Sequence, residues 1–293
     1  MVSPSTTDTV WYTQHDMKRL NEWVKERDGV LVMGTLNLTP DSFYDGGRYP
    51  TKAAAIDRAL QMVEEGADII DVGGESSRPG ARQANVDEEL ARVIPVVEQI
   101  ARRNDILISV DTTKSAVAQA AIAHGASIIN DISALHFDPD MAEIVAESSA
   151  FLVLMHMQGR PETMQHDPAY ADVVAEIKDF LRARMDVAVS AGMDRKRLII
   201  DPGIGFGKRL EHNLDILRRL SEFKDIGVPI LIGLSRKSFL GEILNLPSSE
   251  RLVGTIAANA IAIANGADII RVHDVKEGRR TADVAFRLRN HAT

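Results

Sequence analysis

The 293-residue chain contains no cysteine, which excludes disulfides, thiolate metal ligands and a cysteine nucleophile and is compatible with a reducing, cytoplasmic setting. It has no surplus of basic charge either. With 34 Lys and Arg against 42 Asp and Glu, the formal net charge is -8, so broad attraction to nucleic acid or anionic lipid is not expected. Any anionic ligand must be met by a local cluster. No apolar run approaches the roughly 18 residues that suggest a membrane span. The opening MVSPSTTDTVWYTQHD lacks a basic start followed by an apolar core, so it reads as a polar leader and not as a secretion signal. No long Pro- or Gly-rich linker or low-complexity block divides the rest. A leader over residues 1–28 and one domain over 29–293 is the expected organisation.

What the chain does have is a recurring phrase: GADII at residues 66–70, GASII at 125–129 and GADII again at 266–270. Each follows an Ala-rich amphipathic stretch. A Gly there supplies a left-handed helix cap, and the Ile pair starts a short apolar run suited to a buried parallel strand. The same alternation predicts strands at residues 30–36, 69–72, 106–110, 128–130, 151–155, 198–200, 229–232 and 269–272. Helical patterns fill 51–65, 86–102, 115–124, 141–147, 172–191, 211–220, 249–265 and 276–289. Eight strand and helix pairs point to an α/β fold, a single-domain (β/α)8 TIM barrel. An open doubly wound sheet would show the same alternation, and the count of eight favours the barrel.

Several apparent motifs fail on spacing. DPGIGFGK, residues 201–208, ends in Gly-Lys, but Pro202 stands where a Walker loop needs Gly and Arg209 where it needs Ser or Thr. GLSRK, residues 233–237, begins like a nucleophile elbow yet has Lys237 in place of the last Gly, so Ser235 is a poor covalent nucleophile. The eight histidines show no H-E-x-x-H spacing, and His156 fits a structural role as well as a functional one. Strong transition-metal binding is not indicated.

In such barrels chemistry gathers at the carboxyl ends of the strands, and there this chain keeps its unusual polar residues. Asn37, Glu75, Ser77, Arg78, Asp111, Asn130, Asp131, Asp201, Ser235, Arg236, Lys237, Arg271, His273 and Asp274 all fall at those ends. Helix capping or a loop hydrogen bond accounts equally well for Asp131, Thr112 and Asp274. It does not account for the whole rim. Asp111, Asn130 and Asp201 suit the adjacent amino and ring N–H groups of a heterocycle such as a pterin or guanine. Arg78, Lys237, Arg271 and His273 suit a phosphate or diphosphate.

MGTLNLTPDSFYDGG, DVGGESSRPGA, SVDT, INDI, LMHMQGRP, DPGIGFGK, GLSRKSFLG and RVHDV, in that order, closely resemble the dihydropteroate synthase family from residue 30 to the last helix. The resemblance implies a (β/α)8 barrel, Mg2+, commonly a homodimer, and joining of 4-aminobenzoate to the methylene of a dihydropterin diphosphate with loss of diphosphate. It implies that Asp111, Asn130, Asp201 and Lys237 hold the pterin, with Met155 and Arg271 on its two faces. Asn37, Ser77, Arg78, Arg271 and His273 match positions at the diphosphate or its Mg2+, with Asn37 the protein ligand to the metal. Pro79, Phe206 and Ser235 match positions near 4-aminobenzoate. The glycines after Asp201 would let backbone approach the pterin, and Asp41 and Phe43 would help complete the amine site from a lid loop. Ser77 in place of a common Thr, and Ile204 in place of a common aromatic residue, are mild departures. A pterin-dependent methyltransferase domain and a non-catalytic pterin-binding paralogue are the alternatives; the diphosphate-directed cations favour the synthase.

Overall fold

Short runs of Ile, Val and Leu become parallel strands here because both faces of each run are covered, one by the barrel interior and one by helices. The structure, a computed structural model, describes residues 29–39, 51–76 and 82–290. Its strands are β1 (Leu31–Asn37), β2 (Ile69–Gly73), β3 (Leu107–Asp111), β4 (Ile128–Asp131), β5 (Phe151–Met155), β6 (Leu198–Asp201), β7 (Leu231–Gly233) and β8 (Ile269–Val272). All neighbours pair in parallel, in the order β6-β5-β4-β3-β2-β1-β8-β7. The ring closes between β6 and β7 through the parallel bridge of Ile200 with Ile230, where Ile200 N–H donates to Pro229 O at 3.0 Å. Closure settles the architecture as a (β/α)8 barrel.

The helices among the described residues are α1 (Lys52–Glu64), α2 (Val86–Arg103), α3 (Ser115–Ala123), α4 (Met141–Glu147), α5 (Val173–Ser190), α6 (Leu210–Arg218), α7 (Ser238–Leu244), α8 (Leu252–Ala264) and α9 (Val275–Asn290). The repeated Gly phrase acts as its composition suggests. Gly66, Gly125 and Gly266 have φ of +98°, +109° and +112°, and the next N–H reaches back to the carbonyl five residues earlier, as in Ala67 to Met62. In both GADII copies the Asp then accepts a strand N–H, Val32 to Asp68 at 2.8 Å and Ile230 to Asp268 at 3.0 Å. The sequence pattern missed α7. Asn245, left-handed at φ +53°, ends that helix, Pro247 follows, and α8 starts only at Leu252.

Period-two alternation sorts the strand residues into layers. Leu31, Met33, Ile69, Leu107, Phe151 and Ile269 belong to an apolar cluster that fills the lower barrel. Further along the same inward-facing series come Asp71, Ser109, Asp111, Asn130, Asp201 and Arg271. In register, Asp71 pairs with Ser109, Asp111 with Asn130 and Met155 with Asp201. The lower half of the barrel is therefore packed, and its polar chemistry lies at the carboxyl end.

Candidate active site

The centre of the rim is an ion-paired fork. Arg271 rises from β8 and crosses the barrel; its Nε donates to Asp71 Oδ2 on β2 at 2.6 Å and its Nη2 to Asp111 Oδ2 on β3 at 2.9 Å. Asn130 on β4 donates from Nδ2 to the same Asp71 oxygen at 3.4 Å. Asp71 is fully buried, and among the described residues its Oδ1 finds no partner; nor does the buried Ser109 Oγ beside it in register.

Burial dominates the protonation of this layer. Desolvation pushes the Asp111 carboxyl up to about 7, partly opposed by Arg271 and reinforced by the charges of Asp71, Glu89 and Asp131. Asp201 is also raised by burial, with Lys237 pulling it back. Lys237 is brought down to about 8 by burial, although Asp201 works to keep it charged. Burial acts to lower Arg271 too, but Asp71 and Asp111 outweigh it, so the guanidinium stays firmly protonated.

The loop after β6 closes one side. Asp201 Oδ1 accepts Gly203 N–H at 2.7 Å, Lys237 donates to Ile204 O, and Lys237 Nζ lies 4.6 Å from the centre of the Phe206 ring. Gly203, Gly205 and Gly207 all have positive φ. A Cβ on Gly203 would stand 1.9 Å from His156 O, and one on Gly207 would stand 2.5 Å from Gln158 O. Two of these glycines therefore serve close contact between the β5 and β6 loops, where their expected role was backbone approach to a pterin. Lys208 is buried beneath them, its Nζ 2.9 Å from His156 Nδ1 and donating to Phe206 O at 3.0 Å. Burial and Lys208 hold His156 neutral, pushed down to about 2, and burial depresses Lys208 well below the usual lysine range. His156 is thus a brace for the loop.

At the ends of β7 and β8, Ser235 Oγ lies 2.9 Å from His273 Nδ1 and accepts His273 N–H at 3.2 Å. Between Ser235 and Lys237, Arg236 takes a left-handed φ of +56° and makes two 2.9 Å bonds to Asp274. Asp274 is therefore an ion-pair partner more than a helix cap. Asp131, by contrast, is a local turn former, accepting from the N–H groups of Ser133 and Leu135. Thr112 likewise accepts Lys114 N–H at 3.2 Å.

Of the residues expected at the site, Asp111, Asn130, Met155, Asp201, Phe206, Ser235, Lys237, Arg271 and His273 stand on the carboxyl-terminal rim of the barrel. Met155 packs with Ile132, Met157 and Met164, and Phe206 joins that cluster from its edge. Asn37 ends β1, half-buried, and its Oδ1 and the Asp111 Cβ both lie within 4 Å of where a side chain on Gly73 would begin. Ser77, Arg78, Pro79, Asp41 and Phe43 lie outside the described residues. The sequence reading missed Asp71. Its signal was an acidic residue alternating with Ile69 and Gly73 inside an otherwise apolar strand. It also missed Lys114, which pairs with Glu75 and, at 2.6 Å, with the buried Glu89. These border a cleft of about 220 Å3 beside Asp111.

Comparison with known proteins bears directly on this arrangement. Residues 33–273 match the family described as "Pterin binding enzyme". The dihydropteroate synthase of Escherichia coli K12 is 51% identical over 246 residues, 84% of this chain and 87% of that protein. Among solved structures, the dihydropteroate synthase of Yersinia pestis in complex with a sulfonamide drug superposes with a TM-score of 0.86 at 45% identity, covering 89% of this chain and 95% of that one. The Xanthomonas albilineans dihydropteroate synthase in complex with 7,8-dihydropteroate superposes with a TM-score of 0.81 at 42% identity, covering 91% and 95%.

Proposed function

The chain belongs to the pterin binding enzyme family, as a dihydropteroate synthase, and from that premise we propose how its rim joins (7,8-dihydropterin-6-yl)methyl diphosphate to 4-aminobenzoate. It is a transferase of the pterinylmethyl group that yields 7,8-dihydropteroate and diphosphate. Neither the methyltransferase nor the non-catalytic reading is favoured by relatives of this kind.

Asp201 takes the amino and N3–H edge of the pterin, with Asn130, Asp111 and Lys237 as further partners and Met155 and the Arg271 guanidinium against its faces. The observation that carries this reading is a set of inward-facing hydrogen-bonding groups, the half-buried Asp111 and the buried Asn130 and Asp201, beside a cation that bridges Asp71 and Asp111. The demanding step is breaking the carbon to oxygen bond, which leaves positive charge on the pterin methylene. Asp71, Asp111 and Asp201 outnumber Arg271 and Lys237, and at an effective dielectric of ~20 one unit charge about 6 Å away is worth roughly 3 kcal/mol. A dissociative route is therefore preferred. Arg271 and His273, with Arg78, receive the departing diphosphate. The aromatic amine is already neutral near pH 7 and attacks without a strong general base, near Phe206, Ser235 and Pro79.

Mg2+ fits this donor set through a single hard oxygen, Asn37 Oδ1, because such ions commonly take one or two protein ligands and fill the rest with phosphate and water. Among the described residues no group of three or more His, Cys, Asp or Glu forms an all-protein cage. When bound, the ion would supply charge neutralisation to the leaving diphosphate. Ser77 belongs to the same reading as a diphosphate contact. A homodimer formed through α8 and α9 and a cytoplasmic location complete it; among the described residues no helix is long and apolar enough to cross a membrane.

The test is diphosphate release by the purified protein with dihydropterin diphosphate and Mg2+, with and without 4-aminobenzoate. Release should depend on the amine, yield dihydropteroate, and collapse in Asp201→Asn. Pterin binding without turnover would defeat the catalytic reading and leave only a binding protein.

A further inference from the structure

Resting on the synthase reading above, we propose that Asp71 is a positioning residue for the reaction, one that orients Arg271 and Asn130 and sets a fixed negative charge beneath the pterin. Asp71 opens the DVGGESSRPGA motif, but the resemblance gives it no role. The case starts from cost. A fully buried carboxylate with one oxygen unpartnered among the described residues is destabilising, and an apolar side chain of similar size would pack better in a barrel interior. The fold keeps the charge nonetheless, one layer below the rim.

Its two hydrogen-bond donors explain why. Arg271 Nε at 2.6 Å and Asn130 Nδ2 at 3.4 Å come from β8 and β4, neither of which pairs with β2. Asp71 is thus where side chains from opposite sides of the barrel meet. With Asp111 holding Nη2 and Asp71 holding Nε, two carboxylates on adjacent strands fix the plane of the guanidinium. A guanidinium bound at Nε and one Nη cannot rotate about its long axis, so the face it offers a stacked ring is set before the ring arrives. The Asp71 charge, like those of Asp111 and Asp201, faces into the carboxyl-terminal half of the barrel. Its attraction grows as positive charge develops on the pterin methylene, so it assists the transition state more than the ground state.

The experiment compares the wild type with Asp71→Asn, which keeps the shape and an acceptor for Arg271 Nε but removes the charge. Calorimetry with the unreactive 6-hydroxymethyl-7,8-dihydropterin gives the binding arm, and dihydropteroate formation gives the turnover arm. We expect kcat to fall ~30-fold while the pterin Kd rises less than ~5-fold. Arg271→Lys should cost much less in the Asp71→Asn background than in the wild type, because both changes break one unit. Turnover within ~2-fold of wild type, a loss confined to binding, or additive losses in the double variant would each overturn the proposal. If Asp71→Asn does not fold, the wild type alone still decides. Its Arg271 Nε–H, assigned by difference against Arg271→Lys, should give one sharp, exchange-protected 15N-NMR resonance; an averaged or unprotected one rejects the orientation. Wild-type turnover is measured alongside: its absence counts against the synthase reading, whereas an active wild type with an equally active variant counts only against Asp71.

Discussion

At the scale of single residues, the site is built from groups the solvent would rather keep. Asp111 is raised to about 7 from an ordinary 3.8, so its contribution to stability is full below the unfolded value and is lost as pH rises through the folded one. Lys237 is lowered to about 8 from 10.5, so its contribution is present above the unfolded value and is lost as pH falls through the folded one. Between about 7 and about 8 both are charged at a cost to the fold. Asp111→Asn should therefore raise stability, read from melting curves, by an amount that grows from pH 4 to about pH 7 and reaches roughly 4 kcal/mol there, while lowering pterin affinity. Equal melting curves at pH 5 and pH 8 would count against a raised carboxyl. On the proposed roles, which require the Asp111 carboxylate and the Lys237 ammonium together, kcat/KM should follow a narrow bell with limbs near 7 and 8. A flat profile from pH 6 to 9 would show that one of the two is not required. Asp111, Asn130 and Asp201 were legible in the sequence because they end strands; Asp71 was not, because one polar residue inside a strand resembles a local exception until Arg271 is seen to reach it.

At the scale of elements, the β5 and β6 loops interlock through glycine. Gly203→Ala places a Cβ 1.9 Å from a backbone oxygen at φ +70°, with no flexible side chain to give way. Gly192→Ala has a comparable φ of +99° but meets nothing within 4 Å. In thermal melts Gly192→Ala should cost about 1 kcal/mol, and Gly203→Ala at least twice that, with loss of pterin binding through Asp201. Similar costs at both positions would mean that the loop shifts freely. The sequence identified DPGIGFGK as exceptional, yet it could not say what the glycines approach, since that depends on a loop some fifty residues away. The helix after β7 shows the same limit: Ser238–Leu244 is too short for its periodicity to stand out, and a left-handed Asn245 separates it from α8.

At the scale of the molecule, α8 and α9 pack side by side and leave an apolar stripe outward. Val253, Ile261, Val284 and Leu288 are 76%, 56%, 60% and 70% exposed, while Thr255, Ala258, Asn259, Ala262 and Ile263 face the barrel. The Ala- and Ile-rich segment over residues 250–267 thus both packs inward and offers a surface. If the proposed homodimer forms through this face, Ile261→Glu with Leu288→Glu should convert it to a monomer in light scattering at micromolar concentration, with the melting temperature of the barrel lowered by no more than a few degrees. A variant of unchanged mass would rule this face out as the interface.

The sequence by itself determined the strand and helix alternation, the Gly-capped repeats and the placing of most polar residues at strand ends, because these depend on local periodicity and on backbone conformations that few residues adopt. Only the tertiary structure decided that the sheet closes through Ile200 and Ile230, that Arg271 crosses the barrel to Asp71 and Asp111, and that His156 and Lys208 brace a loop. Those outcomes follow from burial and from contacts between residues far apart in the chain, and neither is encoded in any one stretch of it.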